Sequence, residues 1–182
     1  MDFQLTEEDK QILLRTARRS IENKLKGENE PLPAATEIMH EKCGAFVTLR
    51  KQGQLRGCIG HMTGVKPLQS AVEELAQSSA FHDPRFPAVS AGEIHEIDIE
   101  ITVLTPLEEI EDTSRIEIGR HGIFMQNGGR SGVLLPQVAT EQGWDRETFL
   151  DHTCRKAGLP GDCWRDPETT ISIFEGSIFG EK

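Results

Sequence analysis

Gly44-Ala45-Phe46-Val47-Thr48-Leu49, then Lys51-Gln52-Gly53-Gln54, then Leu55-Arg56-Gly57-Cys58-Ile59-Gly60 is the stretch that decides the fold. The first six residues read as a β-strand, the next four as a tight turn, and the last six as the returning strand. A hairpin of this kind commits part of the sheet to antiparallel pairing. A second hairpin is signalled by Gly122-Ile123-Phe124-Met125, Gln126-Asn127-Gly128-Gly129-Arg130 and Ser131-Gly132-Val133-Leu134-Leu135. Its Asn-Gly and Gly-Gly steps tolerate the positive φ angles that tight turns demand.

Helical patterns lie before, between and after these hairpins. Thr6 is placed to cap a helix whose first turn carries Glu7, Glu8 and Asp9, and Leu14, Ala17, Ile21 and Leu25 recur at helical spacing before Gly27. Pro31 and Pro33 mark a linker over 28–35. Pro67 suits a first helical position, and Leu68, Ala71, Val72, Leu75, Ala76 and Ser79 trace one helix face that packs on a sheet. His82-Asp83-Pro84-Arg85-Phe86-Pro87 is a loop, because its prolines remove donors and bias the residues before them away from helical angles. After Ile94 the period becomes two, with Ile97, Ile99, Ile101 and Val103 on one face and Asp98, Glu100 and Thr102 on the other. Pro136 opens a short helix. Asp145 caps another, with Phe149, Leu150, Thr153, Cys154 and Ala157 along one side and Gly158 and Pro160 as its stop. The run Thr170-Ile171-Ser172-Ile173-Phe174 returns to alternation. The expected class is therefore α+β, a mixed and largely antiparallel sheet with packed helices, rather than a doubly wound parallel sheet.

At 182 residues the chain is long enough to bury a core without disulfide support. Twenty Lys and Arg against 30 Asp and Glu give a formal net charge of -10, which repels phosphate backbones and disfavours non-specific nucleic-acid binding. Arg15, Arg18 and Arg19 cluster, but a short basic run on a helix is usually a solvated face. The acidic start lacks the pattern of a secretory signal, and no apolar run approaches the length needed to span a bilayer. Cys43, Cys58, Cys154 and Cys163 are widely spaced with no Cys-x-x-Cys pair, which suits reduced thiols in a cytoplasm. No metal site and no cofactor are expected.

Cys58 is the candidate nucleophile. Gly57 and Gly60 allow sharp bending or close approach of a ligand, and the guanidinium of Arg56 would favour a thiolate. The competing reading is a small buried hydrophobe in a strand, with the glycines shaping a bulge or a packing contact. Cys58 and His61 form a Cys-x-x-His pair, yet catalytic zinc needs about three protein ligands and no second pair is recognisable. Asp83, Arg85 and Phe86 place opposite charges and an aromatic on a stiffened loop, suited to holding a ligand or to capping backbone donors. Glu100 faces away from the buried isoleucines, toward solvent or a groove.

The order Leu55-Arg56-Gly57-Cys58-Ile59-Gly60, Asp83-Pro84-Arg85-Phe86-Pro87, Leu135-Pro136-Gln137-Val138 and Cys154-Arg155-Lys156-Ala157-Gly158-Leu159-Pro160 resembles the AMMECR family, called AmmeMemoRadiSam system protein A in prokaryotes. The likeness runs from about Ala17 to Phe174. It implies a single AMMECR-like domain over 1–182, with a larger lobe, a smaller lobe within about 106–136, and a cleft near the hexapeptide. It also implies work alongside a MEMO-type protein, related to extradiol dioxygenases, and a radical SAM enzyme; it brings no settled activity. Two functions follow. In one, the protein is an accessory component whose cleft, with Arg56, Gly57, Gly60, Asp83, Arg85, Glu100 and Gln137, holds a small molecule or a partner segment. In the other, it is a cysteine-dependent enzyme or carrier: Cys58 acts as thiolate, Arg56 or Arg85 supports charge, and Asp83, Glu100 or Gln137 orients the substrate. Arg56, Cys58, Asp83 and Arg85 are expected to share one cleft, with recognition favoured over catalysis.

Overall fold

The computed structural model describes residues 3–182. The chain forms two compact units: the first runs to Leu104 and takes in Ser177–Lys182, and the second is Thr105–Gly176. The stretch 106–136 lies inside the second unit, which continues for 40 residues beyond it.

In the first unit, α1 (Glu7–Lys26) starts at a capping box in which the Thr6 hydroxyl accepts from the Asp9 amide at 3.1 Å and the Asp9 carboxylate accepts from the Thr6 amide at 2.8 Å. It ends at Gly27, whose φ of 67° is the left-handed cap a glycine supplies cheaply. β1 (Ala45–Lys51) and β2 (Gln54–His61) form the first hairpin, joined through Gln52 and Gly53 at φ of 52° and 77°. β3 (Ile97–Leu104) pairs antiparallel with the other side of β1, which leaves β2 at the sheet edge. α2 (Leu68–Phe81) packs against α1 and the hairpin; Pro67 is its N-cap rather than its first helical residue. Ile12, Leu13, Ala17 and Ile21 of α1, Val72, Leu75 and Ala76 of α2, Val47 and Leu49 of β1, and Ile97, Ile99 and Ile101 of β3 share one buried cluster.

The Arg18 guanidinium ties this unit to the chain end. It donates to the Ile94 carbonyl (3.0 Å), the Ile97 carbonyl (2.6 Å) and both oxygens of Glu181 (2.8 and 2.5 Å), while Arg19 pairs with Glu30 at 2.8 Å. Arg18 is thus spent inside the fold, while Arg19 makes a surface pair.

The second unit carries β4 (Glu108–Ile110), β5 (His121–Asn127), β6 (Arg130–Leu134), α3 (Pro136–Gln142), α4 (Arg146–Lys156) and the first part of β7 (Thr170–Gly180). β7 lies between β4 and β5, and β5 pairs with β6, all antiparallel. The three-residue β4 has no sequence signal, because three residues cannot establish an alternation. Phe149 and Leu150 of α4 close over Ile123 and Met125 of β5 and Ile171 and Ile173 of β7.

The expectation of reduced thiols is corrected here. Cys154 and Cys163 form a disulfide, with Cα atoms 5.7 Å apart and both side chains in the core of the second unit. After α4 the chain turns at Gly158 (φ 75°) and doubles back, so nine residues of separation become a short crossing. The spacing rule looked for adjacent pairs and missed this one. Cys43 and Cys58 are free. Among the described residues, no helix is long and apolar enough to cross a membrane.

Candidate functional site

As an edge strand, β2 has outward backbone groups with no neighbouring strand to satisfy them. At Cys58 the loop after α2 does that work. The Cys58 amide donates to Asp83 Oδ2 at 2.9 Å, and the Cys58 carbonyl accepts from Arg85 Nη2 at 3.1 Å. Arg85 also donates through Nε to Asp83 Oδ1 at 3.0 Å and through Nη2 to Oδ2 at 2.7 Å, and its amide reaches Oδ1 at 3.0 Å. The Asp83 side chain is 1 % exposed, the Arg85 side chain 54 %. The Arg85 guanidinium, outweighing the opposing effect of burial, holds the Asp83 carboxyl well below the usual carboxylate range. Asp83, Arg85 and Cys58 form one clasp.

Arg56, Gly57, Ile59 and Gly60 of the hexapeptide each have a physical partner, whereas the Leu55 side chain is exposed. Arg56 occupies a bulge, since Leu49 faces Gly57 while Arg50 faces Leu55. Its guanidinium pairs with Glu93 through Nε at 2.8 Å and Nη2 at 3.3 Å, and Nη1 is buried without a partner. That ion pair lowers the pKa of Glu93 against the opposing effect of burial. The expectation that Arg56 serves the Cys58 thiol is therefore corrected: its charge is turned to Glu93, on the same loop as the clasp.

Gly57 lies under α2. A Cβ there would stand 2.2 Å from the Ser79 carbonyl, so only glycine lets the helix approach this closely. The buried Ser79 hydroxyl bridges the hairpin, accepting from the Ile59 amide at 2.9 Å and donating to the Val47 carbonyl at 2.8 Å. Gly60 sits beneath the Phe46 ring, where a Cβ would come within 2.2 Å of Cδ1.

Cross-strand register sets the faces. Cys58 lies opposite Thr48, and Thr48 lies opposite Glu100, so the three form one row across β2, β1 and β3. The next row is Gly60, Phe46 and Thr102. The Cys58 sulfur has the Thr48 hydroxyl as its hydrogen-bond partner, 3.2 Å away. Glu100 is directed to Arg50 at 3.6 Å. His61, three residues beyond Cys58 on a period-two strand, projects to the opposite face and is not paired with it. Gln137 lies on α3 of the second unit.

Two further histidines are held structurally. His121 Nδ1 accepts from the Glu117 amide at 3.0 Å, and the His152 ring stacks on Trp144 with centroids 3.9 Å apart. Among the described residues, no group of three or more His, Cys, Asp or Glu side chains is arranged to hold a metal ion.

Residues 14–179 match the AMMECR1 family model. The chain belongs to the AMMECR1 family. A protein of Methanothermobacter thermautotrophicus is 46 % identical over 97 % of this chain and 96 % of its own length. Protein MK0488 of Methanopyrus kandleri is 45 % identical over all of this chain and 93 % of its own. The crystal structure of the uncharacterized protein PH0010 from Pyrococcus horikoshii has a TM-score of 0.81 at 44 % identity, covering 98 % of this chain and 94 % of that one. The α+β class read from the hairpins is thus the class of a solved AMMECR1-type structure. The clasp, the Ser79 bridge and the Arg56–Glu93 pair lie within the residues that the family model spans.

Proposed function

We propose that this AMMECR1 protein is an accessory component that acts with MEMO-type and radical SAM proteins, recognising a ligand or partner at the surface around Cys58, Asp83 and Arg85. The observation that carries this reading is the clasp. Both backbone groups of Cys58 are committed to Asp83 and Arg85, and the sulfur is turned to the Thr48 hydroxyl, which is no general base at neutral pH. A preorganised surface without an adjoining base suits binding better than bond-making.

The experiment is gel filtration of the purified protein mixed with the MEMO-type and radical SAM proteins of its own genome. Co-elution with at least one of them is the expected result. Separate elution of both at tens of micromolar would remove this reading.

A cysteine-dependent enzyme or carrier is the second reading, favoured by one observation. The Arg85 guanidinium donates to the Cys58 carbonyl at 3.1 Å, which holds a positive charge beside the residue that carries the sulfur. This reading requires Cys58 to be alkylated faster in the folded protein than in the unfolded chain at neutral pH.

A further inference from the structure

Arg85 differs from the other well-anchored arginines. Arg18 spends Nε, Nη1 and Nη2 inside the fold, and the Arg56 guanidinium is buried against Glu93. Arg120 is held by Glu117 and Glu175, both exposed. Arg85 alone among these four is fixed by a buried carboxylate while its outer side stays open to solvent. Its Nη1 donors have no partner among the described residues, and the Phe86 ring lies 5.5 Å from the guanidinium carbon.

We propose that Arg85 is the anchor of a small-molecule site and that its free Nη1 binds an oxyanion of the ligand, a carboxylate or a phosphate. The inference rests on the recognition reading above and names the chemistry it would use. The orienting cost that usually weakens an exposed arginine has already been met by Asp83, so a contact at Nη1 gains more than one at a freely rotating side chain. Asp83 cancels the charge of Arg85 at long range, and the protein as a whole is acidic, so attraction is local and depends on hydrogen-bond direction. The site therefore binds a bare anion weakly and relies on the rest of the ligand for affinity. The neighbouring groups available to that remainder are the Cys58 thiol and, in the next row, the Phe46 ring.

The test uses the full chain labelled with ¹⁵N, titrated with sodium acetate and separately with sodium phosphate at constant ionic strength, with the Cys58 amide as reporter. A saturable shift is expected with at least one anion, and the anion that gives it identifies the group. Its midpoint should rise at least about tenfold in Arg85→Gln, the cost of one charge-assisted hydrogen bond, and stay unchanged in Arg120→Gln. Arg85→Lys keeps a cation without the fork and should weaken binding too, which preserves the test if Arg85→Gln does not fold. A shift that never saturates with either anion, or the same midpoint in wild type and both Arg85 variants, would overturn the proposal. Loss of the partner complex would leave this titration untouched, so the two readings fail separately.

Discussion

The Cys58 amide and the Asp83 carboxylate are joined by a 2.9 Å hydrogen bond that ties the edge strand β2 to the loop after α2. Removing the carboxylate leaves that amide and the inner side of Arg85 unpaired. Asp83→Ala should cost about 3 kcal/mol of stability, measured by denaturant titration, with faster hydrogen exchange at Cys58. Unchanged exchange at Cys58 would show that the clasp is not what holds the segment.

The same bond sets a pH dependence. Asp83 titrates below its unfolded value of 3.8 because Arg85 stabilises the charged form. Its stabilising effect is complete above the unfolded value and is lost as pH falls through the lower folded value. The stability gap between wild type and Asp83→Ala should stay flat from about pH 7 to about pH 5 and close only in more acidic solution. A gap that narrows near neutrality would contradict this assignment.

Gly57 and Gly53 separate packing from backbone conformation. Gly57→Ala forces a methyl against the Ser79 carbonyl and should destabilise by about 2–3 kcal/mol, because α2 must move away from the hairpin. Gly53→Ala meets nothing within 4 Å but must adopt a φ of 77°, at a cost of about 1 kcal/mol. Denaturant midpoints of the two variants give the comparison, and the reverse order would refute the close approach.

The two free cysteines should differ in accessibility. Burial, with a smaller contribution from Glu41, pushes the Cys43 thiol up to about 11. Mass spectrometry after brief alkylation at about pH 8 should find Cys58 modified and Cys43 modified only once the protein is unfolded. Disulfide reduction is an independent perturbation: Cys163→Ser should cost roughly 2.5–3 kcal/mol by the loop-entropy argument, read from the unfolding of the second unit.

Much of this architecture was legible because local chemistry and packing agree. Thr6 and Asp9 form the expected cap, Gln52 and Gly53 the expected turn, and Ile97, Ile99, Ile101 and Val103 the buried face of β3. Asp83 and Arg85 were readable as a stiff charged pair, but nothing in the sequence shows that they serve the backbone of Cys58. Glu93 was missed entirely. The available signal was its spacing from Ser90, whose amide and hydroxyl both donate to it at 3.1 Å. Ser79 stood on the apolar face of α2, and a polar residue there is a cue that some buried group needs a partner. The Cys154–Cys163 bond depends on where the chain goes after Gly158, which spacing alone does not encode. It also removes the reduced-thiol argument for a compartment, because disulfides occur in exported proteins and inside hyperthermophilic archaea alike.

The central claim is recognition at the clasp surface without chemistry at the thiol. Calorimetric titration of wild type, Cys58→Ser and Arg85→Gln against the MEMO-type or radical SAM partner tests it most directly. The account predicts that Cys58→Ser binds like wild type while Arg85→Gln binds at least about tenfold more weakly. Loss of binding in Cys58→Ser, with Arg85→Gln unaffected, would contradict it.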